Sequence, residues 1–483
     1  MRVDRIRVVA FFVAIVLVCT LVVEAAERGT RQREATPRRS NQGAALAESF
    51  VYQSGWSREV DARIDRTVDI SQAGKPSKPD GMYGFEREIL VDGIAHYTAD
   101  VQVGDGPYDV IRVHRVVKEL EPYRPIRTGK NIFLLHGSSV GFVKFIFGSA
   151  SPSTPDDRSV AVYLAQNGID VWGMDQDWAL VPADTTDFGF MADWGLQHQV
   201  DNLDTAVGIA RYTRLYTGNG FARMNVLGYS AGSTTLYALA NQETQLPPGR
   251  RNVGGIIPVD FLYKPDPADE EAIEWLCGYV ADLRSTLAAG VYEDPAGLLM
   301  KTLGALATED PEGPSPFIPG LTNFQAALFF FAETFQLFPL NDWWHYMTGV
   351  FDQNGLPVDF AFTTLDEAFD FMATAASYEP VTFGVDQAGL LCGDVDLPFD
   401  DYFDQITVPV LYLGPVGGVG ETGVYTTTLL GSSDISLLLP QFLSDDEHVL
   451  DIGHIDIWTA EVAEESVWRP MLDWIVNHSV GRP

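Results

Sequence analysis

Met224-Asn225-Val226-Leu227-Gly228-Tyr229-Ser230-Ala231-Gly232-Ser233-Thr234 sets a serine between two glycines, where a short apolar run gives way to Thr235-Leu236-Tyr237-Ala238-Leu239. Met224 to Leu227 reads as a buried strand, and Ser233 to Asn241 as the start of a helix. A nucleophile held on a sharp strand-to-helix turn has a strained backbone and needs small neighbours, which glycines two residues to either side provide. The helix N-terminus adds positive potential where an oxyanion would form. Gly-x-Ser-x-Gly alone arises by chance about 0.15 times in a chain of this length. The order of the elements around it has to decide between a nucleophile and an ordinary turn.

That order is regular. Upstream, Glu88 to Val91, His96 to Val103 and Tyr108 to Val117 alternate or run β-branched, with a turn at Gly104-Asp105-Gly106-Pro107, as antiparallel strands do. Short, nearly all-apolar runs follow, separated by helical stretches: Asn131 to Leu135, Ile169 to Met174, Asn225 to Leu227, Gly255 to Val259, Val408 to Leu413 and His448 to Ile452. Runs apolar on both faces and alternating with helices predict a mostly parallel sheet covered on both sides, an α/β fold. Between Val259 and Val408 the rhythm breaks into helical patterns dense in aromatics, among them Phe329-Phe330-Phe331, Phe335, Phe338, Trp343-Trp344 and Tyr346. So long a block is read as a mostly helical cap over residues 261–405, inserted into a core of 81–260 and 406–483. Most of its aromatics are expected in the cap's own core, a minority facing a pocket.

The chain has 483 residues, a formal net charge of -34 and 46% apolar residues, ample for a sizeable core. The acidic excess leaves no cationic surface for phosphates and excludes nucleic acid as a partner. The N-terminus is different. Met1 to Arg7 is basic, Val8 to Val23 is almost wholly apolar, and Ala25-Ala26 offers small residues for cleavage, with Val23 and Ala25 at the -3 and -1 positions. Residues 1–26 read as a secretory signal peptide, so a secreted or periplasmic protein is expected; an uncleaved membrane anchor is the alternative. Residues 27–80 are polar and proline-rich and read as a linker or a loosely draped arm. After cleavage only Cys277 and Cys392 remain of three cysteines. An oxidising compartment permits a disulfide between them, with two buried free thiols as the alternative.

With Leu134-Leu135-His136-Gly137-Ser138-Ser139 ending the first parallel strand and Asp451-Ile452-Gly453-His454-Ile455-Asp456 following the last run, the chain resembles the α/β-hydrolase superfamily, from about Tyr108 to His478. Leu134 to Gly137, Gly168 to Trp172 and Gly453 to Asp456 are similar to segments of its acid lipase branch. The resemblance implies the α/β-hydrolase fold, with the cap inserted after the family's sixth strand, here Gly255 to Val259. It implies Ser230 as nucleophile, His454 as general base, and the Ser138 and Ala231 N–H groups as the oxyanion hole. The family's acid usually stands a few residues beyond the seventh strand, where this chain reads Gly414-Pro415-Val416-Gly417-Gly418-Val419-Gly420-Glu421. Glu421 is the first carboxylate there and is taken as the third member. Asp434, whose bland role is a helix N-cap, and Asp260, at the end of the sixth strand, are the alternatives.

The expected activity is hydrolysis of a hydrophobic carboxylic ester, as by a lipase or esterase, without metal or cofactor. Any membrane or lipid-surface contact is expected through the cap. Peptidases, thioesterases and acyltransferases use the same triad, so the fold does not separate them. A serine at the elbow speaks against epoxide hydrolases and haloalkane dehalogenases, which carry aspartate there. A non-catalytic binding protein on the same scaffold is the rival of a different class, supported by the missing family aspartate. His136 is expected to brace its turn and His345 to lie in the core of the cap. Asp456 is set aside as too close to His454 to orient its ring.

Overall fold

Three antiparallel strands lead the chain in a computed structural model that describes residues 81–337, 341–393 and 396–479, with a few positions between 44 and 50. Segment 1–26 and most of the arm 27–80 lie outside the described residues. The arm is not wholly loose, however. Leu46 and Phe50 are buried, and the Phe50 ring sits 5.5 Å from that of Trp172.

The first strands are β1 (Met82–Val91), β2 (Ile94–Gln102) and β3 (Val110–Glu121), paired in sequence. Then follow β4 (Asn131–Leu135), β5 (Asp170–Asp175), β6 (Met224–Tyr229), β7 (Val253–Val259), β8 (Val410–Leu413) and β9 (Ile435–Leu438). The sheet order is β1-β2-β3-β5-β4-β6-β7-β8-β9. β3 meets β5 antiparallel, and every pairing from β5 onward is parallel. All the crossover loops from β4 to β8 therefore open at one edge of the sheet, where such folds place their sites.

The apolar runs are continuous because both faces are covered. In β4, Ile132 and Leu134 pack with α1 (Val160–Gln166), whereas Phe133 and Leu135 pack with α2 (Leu196–Tyr216) and α3 (Ala231–Glu243). Burying each such side chain is worth about 1.5–3 kcal/mol. Among the described residues, five α-helices lie between β7 and β8: α4 (Glu270–Ala288), α5 (Ala296–Glu309), α6 (Asn323–Ala332), α7 (Leu365–Ala373) and α8 (Val381–Cys392). Thr322 with Gln325 and Thr364 with Glu367 form capping boxes that start α6 and α7. The final helix, α9 (Arg469–His478), returns to the α1 side of the sheet. No helix among the described residues is long and apolar enough to cross a membrane.

Two expectations are corrected. His448 to Ile452 is not a strand: Asp445–Leu450 is a 3-10 segment, and the Asp451 carboxylate then binds the Phe442 and Leu443 N–H groups. The last strand is β9, which Ser432-Ser433-Asp434 had suggested would be a helix. As an edge strand with one neighbour it leaves Ile435 and Leu437 exposed, so its apolar residues do not mark a buried run.

Cys277 of α4 and Cys392 at the end of α8 form a disulfide, closing a separation of 115 residues. For a loop that long, removing it with the C277A/C392A pair is expected to lower unfolding free energy by roughly 3–5 kcal/mol. Urea unfolding of the variant checks this; an unchanged midpoint would assign the stability of the segment between β7 and β8 elsewhere.

Candidate active site

Ser230 stands between β6 and α3 with φ 53° and ψ -128°, a conformation outside the ordinary regions for an L-residue. Two hydrogen bonds hold it: Ser230 N–H to the Val259 carbonyl at 2.8 Å, and Ser233 N–H to the Ser230 carbonyl at 2.8 Å. The Ser233 hydroxyl closes the bend by donating to the Gly228 carbonyl at 2.6 Å. The flanking glycines follow from close approach. A Cβ at 228 would lie 2.5 Å from the Gly232 carbonyl oxygen, and one at 232 would lie 2.4 Å from that of His136.

The His136-Gly137-Ser138-Ser139 turn after β4 lies directly against the serine, since a Cβ on Gly137 would fall 2.6 Å from the Ser230 Cβ. His136 is buried and accepts the Gln176 N–H at 2.9 Å on Nε2, which braces the turn. Among the described residues neither the Ser138 N–H nor the Ala231 N–H has an acceptor. Two unspent backbone donors beside a strained serine make a cradle for negative charge.

His454 is held from three sides. Its N–H donates to the His345 carbonyl at 3.0 Å, the next N–H donates to the Tyr346 carbonyl at 2.7 Å, and the Tyr229 hydroxyl donates to the His454 carbonyl at 3.2 Å. Its ring stacks on that of Tyr229, the residue before Ser230, at 4.7 Å between centroids. Nδ1 lies 2.5 Å from Asp260 Oδ2. A proton on Nδ1 donated to that carboxylate leaves Nε2 with its lone pair open. No hydrogen bond joins Ser230 Oγ to His454 among the described residues; Tyr229, next to Ser230 in the chain, is the residue that touches the imidazole.

Of the three candidate carboxylates, Asp260 is the one that meets the His454 imidazole. It follows β7, the strand whose Val259 carbonyl receives the Ser230 N–H, and is fully buried. Its Oδ1 accepts the Val419 N–H at 2.8 Å and the Gly420 N–H at 3.2 Å. The glycine-rich loop after β8 therefore offers backbone donors to a carboxylate from the neighbouring strand in place of a carboxylate of its own. A Cβ on Gly418 would lie 2.2 Å from Asp260 Oδ2, which is why the loop is glycine there. Glu421 is exposed, in the turn Gly420–Gly423, and does not meet the imidazole. Asp434 precedes β9, at the opposite end of the parallel strands, and is mostly exposed with His478 3.4 Å away.

The remaining residues brace the histidine loop. Asp456 accepts the Gly453 N–H at 2.9 Å and the Thr348 hydroxyl at 2.8 Å, tying that loop to the residues between β7 and β8. His345 is buried, with Nδ1 at 2.8 Å from the Trp343 carbonyl and Nε2 at 2.9 Å from that of Asp451. Trp344 and Tyr346 flank the His454 ring at 5.6 and 5.8 Å. Sequence reading singled out neither as a site residue; their signal was only aromatic density. A recess of about 580 Å³ on the β1–β3 side, lined by Glu88, His96, His114 and Asp175, includes neither Ser230 nor His454. Among the described residues no group of His, Cys, Asp and Glu has the arrangement of a metal site.

Among solved structures, the chain is similar to a "putative lipase" from Sulfolobus solfataricus, with 19% identity, a TM-score of 0.55, and coverage of 82% of this chain and 99% of that one. The chain has the α/β-hydrolase fold. A soluble variant of monoglyceride lipase from Saccharomyces cerevisiae also matches, at 14% identity and a TM-score of 0.37, over 85% of this chain and 97% of that one. No protein-family model matches the chain, and no curated protein matches it. On this fold the sheet edge brings together Ser230, His454, Asp260 and the 136–139 turn.

If the buried carboxylate is what orients His454, Asp260→Asn is expected to lower kcat for an activated ester by about 10²–10⁴-fold, against less than about twofold for Glu421→Gln. Steady-state kinetics of the two variants decide between them, and the reverse ranking would restore Glu421.

Proposed function

We propose that this chain is an exported serine hydrolase acting on carboxylic esters, with Ser230, His454 and Asp260 as its triad. The observation that carries the reading is the bond from His454 Nδ1 to a buried carboxylate, next to a strained serine with two unspent backbone donors. In the proposed reaction His454 Nε2 takes the Ser230 hydroxyl proton as Oγ attacks the acyl carbon. The imidazolium so formed is stabilised by Asp260, which itself is held by two N–H groups. The Ser138 and Ala231 N–H groups receive the oxyanion, and His454 returns the proton to the leaving alcohol. Water then releases the acyl group by the same steps in reverse.

Trp344 and Tyr346 beside the imidazole favour a hydrophobic acyl or alcohol portion, and the description of the Sulfolobus protein points the same way. The disulfide suits an oxidising compartment, in keeping with export. The rival reading, a non-catalytic binding protein, drew on the missing carboxylate, and Asp260 occupies the place it left.

Ser230→Ala is expected to reduce turnover of nitrophenyl esters by at least about 10³-fold with the folded state intact. Assay over esters from acetate to palmitate, with thioesters and peptides as alternative substrates, checks both the nucleophile and the substrate class. Equal turnover by the variant would remove Ser230 from the chemistry.

A further inference from the structure

The segment between β7 and β8 meets the oxyanion turn through one carboxyl group. Glu379 opens the two-residue strand Glu379–Pro380 that leads into α8. Its Oε1 accepts the Ser139 N–H and, at 3.1 Å, the Ser139 hydroxyl. Ser139 has a φ of 55°, a conformation that an L-residue keeps only where its surroundings impose it. A second contact, from the Ala376 N–H to the Ser139 carbonyl at 3.0 Å, fixes that residue from its other end. Successive N–H groups of the turn are thereby divided. That of Ser139 is committed to Glu379, while that of Ser138 has no acceptor among the described residues.

The surroundings of Glu379 are acidic and phenolic. Asp294 stands directly opposite it in the short ladder with Glu293–Asp294, and Tyr279 of α4 and Tyr346 both sense the two carboxyls. Among the described residues no Lys, Arg or His side chain bonds to either one. Burial, with Asp294 alongside, pushes the Glu379 carboxyl up to about 7, and burial raises Asp294 as well. Glu379 thus changes charge near neutrality.

We propose that Glu379 is a positioning residue for the reaction: it holds the Ser138-Ser139 turn in the shape that presents the Ser138 N–H, and its ionised form opposes the oxyanion that forms beside it. The inference rests on the oxyanion role given to Ser138 above. Accepting the two Ser139 hydrogens needs only an oxygen lone pair, which a neutral carboxyl or an amide keeps. Below about pH 7 the clamp holds with no charge facing the oxyanion. Above it the clamp persists, but a carboxylate stands one residue from the developing negative charge, and in a water-poor site that repulsion raises the barrier. Turnover therefore declines on the alkaline side.

The test is kcat and KM for a nitrophenyl ester from about pH 5 to about pH 9, using the full chain with Glu379, E379Q or E379A. E379A is expected to lose at least about tenfold in kcat across the range with KM changed by less than about threefold, because only oxyanion binding suffers. E379Q is expected to restore most of that kcat and to lack the roughly three- to tenfold decline that the parent shows above about pH 7. Thermal melting establishes that each variant is folded; if E379A is not, the E379Q profile decides alone. An alkaline decline unchanged in E379Q, or parental kcat in E379A, overturns the proposal. The two readings fail separately. Turnover in Ser230→Ala equal to the parent's refutes the triad, whereas serine-dependent turnover that neither Glu379 variant alters refutes the clamp.

Discussion

A fully buried carboxylate has to be compensated, and the way Asp260 is compensated organises the working edge of this molecule. An ionised group out of water is tolerable only with donors around it. Asp260 finds three: the Val419 and Gly420 N–H groups and the His454 imidazole. These come from the loop after β8 and the late loop before α9, while Asp260 itself leaves β7 beside the strand that carries Ser230. One side chain thus fastens three segments of the chain to each other at the sheet's carboxyl edge. Its own backbone takes a φ of 46°, so strain is accepted at Asp260 as it is at Ser230.

What was legible in the sequence was what local pattern encodes. Both-face burial made β4, β5, β6, β7 and β8 visible, because each needs apolar residues at successive positions. The elbow was visible because close backbone approach at 228 and 232 admits only glycine. The misreadings share a cause. β9 is an edge strand, four residues long, that follows a serine-rich stretch resembling a helix cap. His448 to Ile452 is apolar in composition, yet the Asp451 carbonyl meets His345 and its carboxylate holds the Phe442 and Leu443 N–H groups. In both places long-range pairing decided the conformation, and long-range pairing leaves no local trace.

The carboxylate beside His454 was the hardest residue to read for the same reason. Proximity in sequence favoured Glu421, since it follows the strand after which such folds place their acid. The rotation of that carboxylate into solvent, and the aiming of two loop N–H groups at Asp260, depend on how β7 and β8 sit beside each other, Val259 opposite Leu413. The glycines at 417, 418 and 420 were the available signal. They read as absence of a carboxylate, when Gly418 marks the space another carboxylate needs.

Glu379 shows a further layer of the same logic. The turn that would receive an oxyanion is shaped partly by residues nearly two hundred and forty positions later in the chain. The segment between β7 and β8 thereby helps set the backbone of the turn after β4. The proposed activity as a whole comes down to whether the hydroxyl of Ser230 is activated by His454. Labelling with a fluorophosphonate followed by peptide mapping asks this directly, because only an activated serine reacts. The expected result is one adduct, on Ser230, that disappears in His454→Ala; no adduct, or one on a different residue, would contradict it.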